Sequence, residues 1–430
     1  MSEFINSIKK CNNFQNIYDI SWKLHLGETI KKIHYDKLKI GFINIPCNGY
    51  GDVIQCKKVY DYFNRWYPEA SVKICSTSKK KFRDLGIKDH IIEIKNVFSD
   101  DNLDGECEKF SDLILNYKTK FDLLLVIPII NVAFNLNDFK KLIPYANKWN
   151  TYVMSEYNDV YGPYDFPVGI GKGQLGLFFE YNFKFIKQKT IKNPYALVYI
   201  QPSPEWGVHS KYCFLSYLEM ICKKYSKKHT IFELIIPNWI EAELIYNNPF
   251  KSKCLKIITK YFNTCTLKLK ENEDIILFNK NNKNKLIIRG DILPQPRENF
   301  IGFISGSVED ILLTGNESLV DTLTCCPNKT IWYQIAPWKK NLANNLHLET
   351  GNKYYSTYKT SCGTLRGYKF KNDVDSLIKN NDFRIKGKER FDSLLIFMYH
   401  KRKNKEYKKI IDIIDGSRFL DTLKRKIKNI

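Results

Sequence analysis

Long apolar runs are missing from these 430 residues: the longest, Leu123 to Ile130, is about eight residues and contains Pro128, against the roughly 20 a spanning helix needs. A transmembrane helix is therefore not expected. The N-terminus, Met1-Ser-Glu-Phe-Ile-Asn-Ser-Ile-Lys-Lys10, lacks a basic segment followed by a long apolar core, so no secretory signal is read there and an intracellular, cytoplasmic protein is expected. None of the 12 cysteines belongs to a Cys-x-x-Cys pair or stands beside a histidine cluster, which leaves no zinc motif. Cys56, Cys213 and Cys222 fall among apolar helix positions, as buried thiols do in a reducing compartment. Acidic residues are also short, 46 against 68 Lys and Arg, for a net charge of +22. Such an excess favours a polyanionic partner: nucleic acid, an anionic membrane face or a phosphate-bearing substrate. The basic residues are mostly lysine and spread along the chain, so compositional bias accounts for them equally well, and a nucleic-acid reading module is not expected.

What is present is a globular composition, 43% hydrophobic and 14% aromatic, over a length that suits two domains. Two strand–loop–helix junctions carry short glycine motifs with an acidic residue: Ile43-Asn-Ile-Pro-Cys-Asn48-Gly49-Tyr50-Gly51-Asp52, and Ile311-Leu-Leu-Thr-Gly315-Asn316-Glu317-Ser318. The pairing predicts two nucleotide-fold halves facing one cleft. Leu38 to Ile45 reads as a buried parallel strand stopped by Pro46. Val53, Cys56, Val59, Tyr60 and Phe63 then recur at helical spacing, with Asp52 at the helix entrance, where a carboxylate suits the free N–H groups.

Four regions are expected: a helical extension over 1–36, a Rossmann-like domain over 37–185, a second over 186–371, and a basic helical tail over 372–430. In the first domain the pattern predicts strands at 71–75, 90–94 and 121–127 and helices near 79–85 and 110–117. In the second it predicts strands at 195–200, 231–236, 275–277, 285–288, 311–313 and 330–333 and a helix over 211–225. Alternating β and α units argue for doubly wound parallel sheets, an α/β fold in which ligands bind beyond the carboxyl ends of the strands. Residues 251–285 are weakly patterned and read as a helix plus surface loop. The glycine-rich run Gly169-Ile-Gly-Lys172-Gly-Gln-Leu-Gly176 reads either as a linker or as a mobile acceptor loop offering Lys172 to a charged group. Asp373-Val-Asp375 has acidic spacing but sits at a helix start, where it serves the helix dipole; no metal ligand set is assigned.

Gly51-Asp52-Val53-Ile54, with Tyr67-Pro68-Glu69-Ala70 after the helix, resembles the start of the bacterial heptosyltransferases, which are GT-B glycosyltransferases. Ser203 with Lys211-Tyr212, then Gly315-Asn-Glu-Ser-Leu319 and the strand Ile331-Trp-Tyr333, resembles their donor half, and the Gly315 turn is also similar to that of the protein-arginine rhamnosyltransferases. The resemblance implies two facing Rossmann-like domains and an inverting, metal-independent transfer of a hexosyl or heptosyl group from a nucleotide-diphosphate sugar, UDP- or dTDP-linked, to a glycan, lipid or protein. No other cofactor is implied. The donor sugar is not carried over, because the family's glycine–proline donor motif is replaced by Gly315-Asn316-Glu317-Ser318.

In these terms Asp52 is the candidate base, or else a helix cap. Asn48, Gly49, Tyr50 and Gly51 line the acceptor side with Lys172. Gly315 to Ser318 offer a helix N-terminus to the diphosphate. Glu317 accepts a ribose hydroxyl or caps the helix, Ser203 and Lys211 reach the diphosphate, and Tyr333 lies alongside, with Trp338-Lys339 walling the pocket. Two further readings stay open: a sugar-nucleotide epimerase, and a non-catalytic protein of the same fold whose basic tail holds nucleic acid or peripherally contacts an anionic membrane.

Overall fold

The computed structural model describes residues 38–46, 50–96, 113–114, 120–129, 146, 151–155, 157–158, 166–180, 182–202, 210–270, 273–281, 283–336, 339–350, 355–357, 365–370 and 374–403. The expected N-terminal extension and the end of the basic tail lie outside them, as do Asn48, Gly49 and Ser203. The chain divides into two compact units, one of Met1–Phe178 with Asn381–Ile430 and one of Phe179–Asn380.

The first unit begins with β1 (Lys39–Asn44), α1 (Gly51–Trp66), β2 (Ser71–Ser76), α2 (Lys79–Asp84) and β3 (Ile91–Glu93). After β4 (Lys95–Asn96) and β5 (Leu113–Ile114) come β6 (Leu123–Ile129) and β7 (Thr151–Ser155). The main sheet has the order β3-β2-β1-β6-β7 with every pair parallel. β1 is buried at every residue but the first, which is why its sequence is apolar without alternation. Val53, Cys56, Val59 and Phe63 form the buried stripe of α1. The helix expected around 110–117 is corrected at Leu113 and Ile114, which form a strand antiparallel to β4. Leu113 and Ile114 fit either period, and a run this short cannot choose between them.

An aromatic core closes this unit. Phe63 on α1 meets Phe391 at 4.6 Å between ring centroids, and Phe391 stacks on Phe166 at 4.7 Å. Phe391 belongs to α10 (Phe383–Lys403), a helix supplied by the C-terminal part of the chain. Tyr67 O–H donates to Asp392 Oδ1 at 2.8 Å on the same helix. Each fully buried phenylalanine here is worth about 1.5–3 kcal/mol relative to exposure.

The second unit runs β8 (Tyr195–Tyr199), α3 (Ser210–Tyr225), β9 (Ile231–Ile235), α4 (Asn238–Tyr246), α5 (Asn248–Ile258), β10 (Thr264–Lys268), β11 (Ile275–Asn279) and β12 (Lys285–Arg289). It continues through α6 (Arg297–Gly306), β13 (Asp310–Leu313), α7 (Asn316–Cys325), β14 (Thr330–Gln334), α8 (Lys340–Thr350), β15 (Tyr355–Thr357), β16 (Leu365–Lys369) and α9 (Val374–Asn380). Its nine strands lie in the order β11-β10-β12-β9-β8-β13-β14-β16-β15, with β11, β16 and β15 entering antiparallel pairs at the two ends. The weakly patterned stretch 251–285 thus holds most of α5, the strand expected at 275–277 as β11, and a further strand, β10, in place of the expected loop. Asn247, whose side chain accepts from Phe250 N at 3.1 Å, caps α5, and Pro249 fits its first turn. The α3 and α5 face of the sheet is packed with Phe214, Tyr217, Phe232, Phe250 and Cys254.

The glycine-rich run is also corrected. Gly169 and Gly176 form an antiparallel bridge, Val168, Ile170 and Leu177 are fully buried, and Asn158 both donates to Ile170 O and accepts from Ile170 N. Its glycines serve positive backbone φ, +98° at Gly176, rather than an unstructured linker.

Candidate functional site

Parallel α/β sheets bind ligands outside the carboxyl ends of their strands, at the point where the winding direction reverses. In the first unit that point lies between β1 and β6: the chain winds from β1 to β2 and β3, then returns to the other side of β1. In the second unit it lies between β8 and β13, because α6 brings the chain back past β8. Both glycine junctions identified in the sequence occupy these positions.

At the first, Asn44 is the organising residue. Its buried amide donates to Ile127 O at 2.8 Å and to Asp52 O at 3.2 Å, while its Oδ1 accepts from Ser76 Oγ at 3.4 Å. One side chain thereby joins the ends of β1, β2 and β6 to the first turn of α1. Tyr50, not Asp52, holds the N-cap position, and Asp52 is the second residue of the helix, half-buried in its first turn. Its carboxylate there is favoured by the helix dipole. Tyr50 is 42% exposed; its O–H donates to Asp84 Oδ2 at 2.9 Å, and this hydrogen bond raises the phenol above its ordinary range. Tyr50, Gly51 and Asp52 are thus brought together, whereas Lys172 is exposed on the bridged glycine loop, whose Gly171 N–H donates to Asn381 Oδ1 at 3.0 Å.

At the second point, Gly315 is the N-cap of α7 with an ordinary φ of −72°, so its value is space rather than conformation: a Cβ there would stand 3.2 Å from Ser318 Oγ. Asn316, Glu317 and Ser318 form the first turn, whose N–H groups a helix leaves to outside acceptors. Tyr333 O–H donates to Asn316 Oδ1 at 2.9 Å, which fixes the start of α7 over the end of β14. Lys339 is buried beneath it; its ammonium donates to Thr314 O at 2.6 Å and lies 5.7 Å from the Tyr333 ring centroid. Gln334, at the end of β14, accepts from Gln201 N at 3.1 Å and donates to Ser210 Oγ at 2.9 Å, tying down both sides of the loop after β8.

Lys211 is placed in the first turn of α3, where its ammonium pairs with Glu243 Oε1 at 2.7 Å and sits 5.7 Å from the Phe250 ring centroid. Glu317 contributes to the field on Arg297, which grips Asp321 of α7 through Nε at 2.8 Å and Nη2 at 2.6 Å and also reaches Glu180 at 3.0 Å. Desolvation opposes the charge of Arg297, and the carboxylates of Asp321, Glu180 and Glu317 together more than offset it. Positive potential at this switch point therefore comes from the α7 terminus and Lys339, with Glu317 as the opposing charge.

Sequence reading found the two glycine turns and Tyr333 but missed Asn44, Gln334 and Arg297. The only local signal was a polar residue ending an apolar strand, as Asn44 and Gln334 do. Among the described residues no group of three or more His, Cys, Asp or Glu is placed to hold a metal ion, and no helix is long and apolar enough to cross a membrane.

No known family and no curated protein matches the chain. Among solved structures it is similar to the crystal structure of a glycosyltransferase from Rickettsia africae ESF-5, at 12% identity and a TM-score of 0.36, over 88% of this chain and 99% of that one.

Proposed function

We propose that the protein is an inverting, metal-independent glycosyltransferase of the GT-B type, moving a hexosyl or heptosyl group from a nucleotide-diphosphate sugar to an acceptor. One observation carries the reading: the N-terminus of α7, with Gly315 as its N-cap, stands at the switch point of the second sheet, where a diphosphate meets N–H groups and a positive dipole. Asp52, at the corresponding point of the first sheet, takes the proton of the acceptor hydroxyl. The acceptor oxygen then bonds to the anomeric carbon as the bond from that carbon to the β-phosphate oxygen breaks, and the nucleoside diphosphate leaves onto α7 and nearby cations. Lys211 joins those cations by exchanging Glu243 for phosphate, and Glu317 holds a ribose hydroxyl.

The test is thermal unfolding of the full chain with UDP, dTDP, GDP, ADP and CMP in turn. A nucleotide at a hundred times its Kd should add about 2.7 kcal/mol of stability. The gain should shrink in Ser318→Ala and Lys211→Ala. Stabilisation by none of the five, with binding to anionic vesicles or nucleic acid instead, would replace the enzyme with a basic binding protein.

A further inference from the structure

β11 is the last strand of the nine-stranded sheet and, among the described residues, pairs on one side only, with β10. Ile275, Leu277 and Phe278 pack against the core beneath α3 and α5, whereas Ile276, opposite Thr266 on β10, is 66% exposed. A strand edge is a row of backbone donors and acceptors open to another chain, and folds blunt it with lysine, proline or a bulge. Ile275–Phe278 holds neither lysine nor proline. The device present is a bulge, with Leu277 the extra residue where the β10 register shifts between Cys265 and Thr266. Its added twist hinders open-ended stacking of many strands but not a closed pair of two.

The flanking charges select what fits this edge. Glu273 and Asp274 precede the strand, Lys280 and Lys283 follow it, and all four are exposed. An acidic segment would suit only the lysines and a basic one only the carboxylates, whereas a second copy of β11 running antiparallel suits both. Asp274 and Lys280 stand three residues either side of Leu277. Two β11 strands paired antiparallel about Leu277 therefore set each Asp274 opposite the other copy's Lys280, with the exposed Ile276 inside the paired stretch. In-register parallel pairing would instead set like charges together. We propose that β11 is a homodimerisation edge, through which two copies join their sheets across a two-fold axis. The dimer is independent of the transferase reading, since β10, β12 and β9 separate β11 from the switch point at β8. One pair of short edges buries less than the about 1,200 Å² of a standard interface, so its Kd is on the order of 10–500 µM.

The experiment is sedimentation velocity of the full chain at about 5 to 500 µM and fixed ionic strength, for wild type, Asp274→Lys, Lys280→Asp and the double exchange of both. Wild type should pass from monomer to dimer across that range. Each single exchange sets like charges opposite one another at both ends of the pair and should weaken the dimer about tenfold, and the double exchange should restore it. An equimolar mixture of the two single variants should also associate, because each supplies the charge the other lacks. Asp274→Lys adds to the net positive charge of the chain and Lys280→Asp reduces it, so overall repulsion would move the two variants in opposite directions, whereas edge pairing weakens both. Hydrogen exchange over residues 273–281 of wild type should slow as concentration rises, a readout that needs no substitution. A chain that stays monomeric throughout, a dimer indifferent to both single exchanges, or exchange over 273–281 that does not slow with concentration would overturn the dimer edge.

Discussion

The amide of Asn44 holds three strand ends and one helix start in register, so Asp52 occupies a position set by four elements rather than by loop geometry. Asp52→Asn keeps the size and the first-turn placement of the side chain and removes its basicity. Transfer should fall by at least about a hundredfold, while stabilisation by the nucleotide is retained, because the two properties belong to different units. Radiolabelled sugar transfer measured beside nucleotide-induced melting shifts checks both, and a wild-type rate would remove Asp52 from the base role. Asp52 and the Gly315 turn were legible in the sequence because each announces itself over a few consecutive residues. Asn44 was not, since its partner Ile127 lies 83 positions away, and Gln334 is separated from Gln201 by 133. Such pairings leave no local pattern.

At the scale of elements, β1, α1, β8 and α3 could be read because apolar spacing and flanking turns agree. β10, Thr264-Cys-Thr-Leu-Lys268, escaped: its lysine- and asparagine-rich surroundings hide a strand whose first four residues are buried between β11 and β12. The glycine-rich segment misled in the other direction, since glycine density reports unusual backbone angles as readily as mobility. Gly176 makes the difference measurable. With φ at +98° and the Asn381 carbonyl in the place of a Cβ, Gly176→Ala should lose at least about 1–3 kcal/mol. Urea denaturation of the two proteins decides this, and an alanine variant of undiminished stability would show that the segment yields. By contrast Gly315, at φ −72°, carries no backbone strain, and alanine there should cost only about 1 kcal/mol, from a poorer N-cap and a tight contact with Ser318.

For the molecule as a whole, stability at alkaline pH follows from its buried thiols. Burial raises Cys56, Cys222, Cys254, Cys265 and Cys326 above the ordinary 9.0, with Cys254 and Cys326 pushed up to about 12. The unfolded chain therefore sheds these protons first, and the stability they confer is complete below pH 9 and lost as pH rises towards about 12. Each such thiol contributes up to about 1.4 kcal/mol per pH unit in that window. Denaturation under reducing conditions should show the decline, and Cys254→Val should make it shallower; an unchanged slope in that variant would assign the decline to other groups. The order of synthesis adds a last consequence. The second unit is one continuous stretch, Phe179–Asn380, whereas the first must wait for Phe383 and Phe391 on α10 before its aromatic core can close. At about 5–20 residues per second, the 325 positions between Tyr67 and Asp392 keep Phe63, Trp66 and Tyr67 uncovered for roughly 16–65 s on the ribosome. The half of the protein made first is thus the half that finishes last, and through that interval its half-built core is a natural client for chaperones.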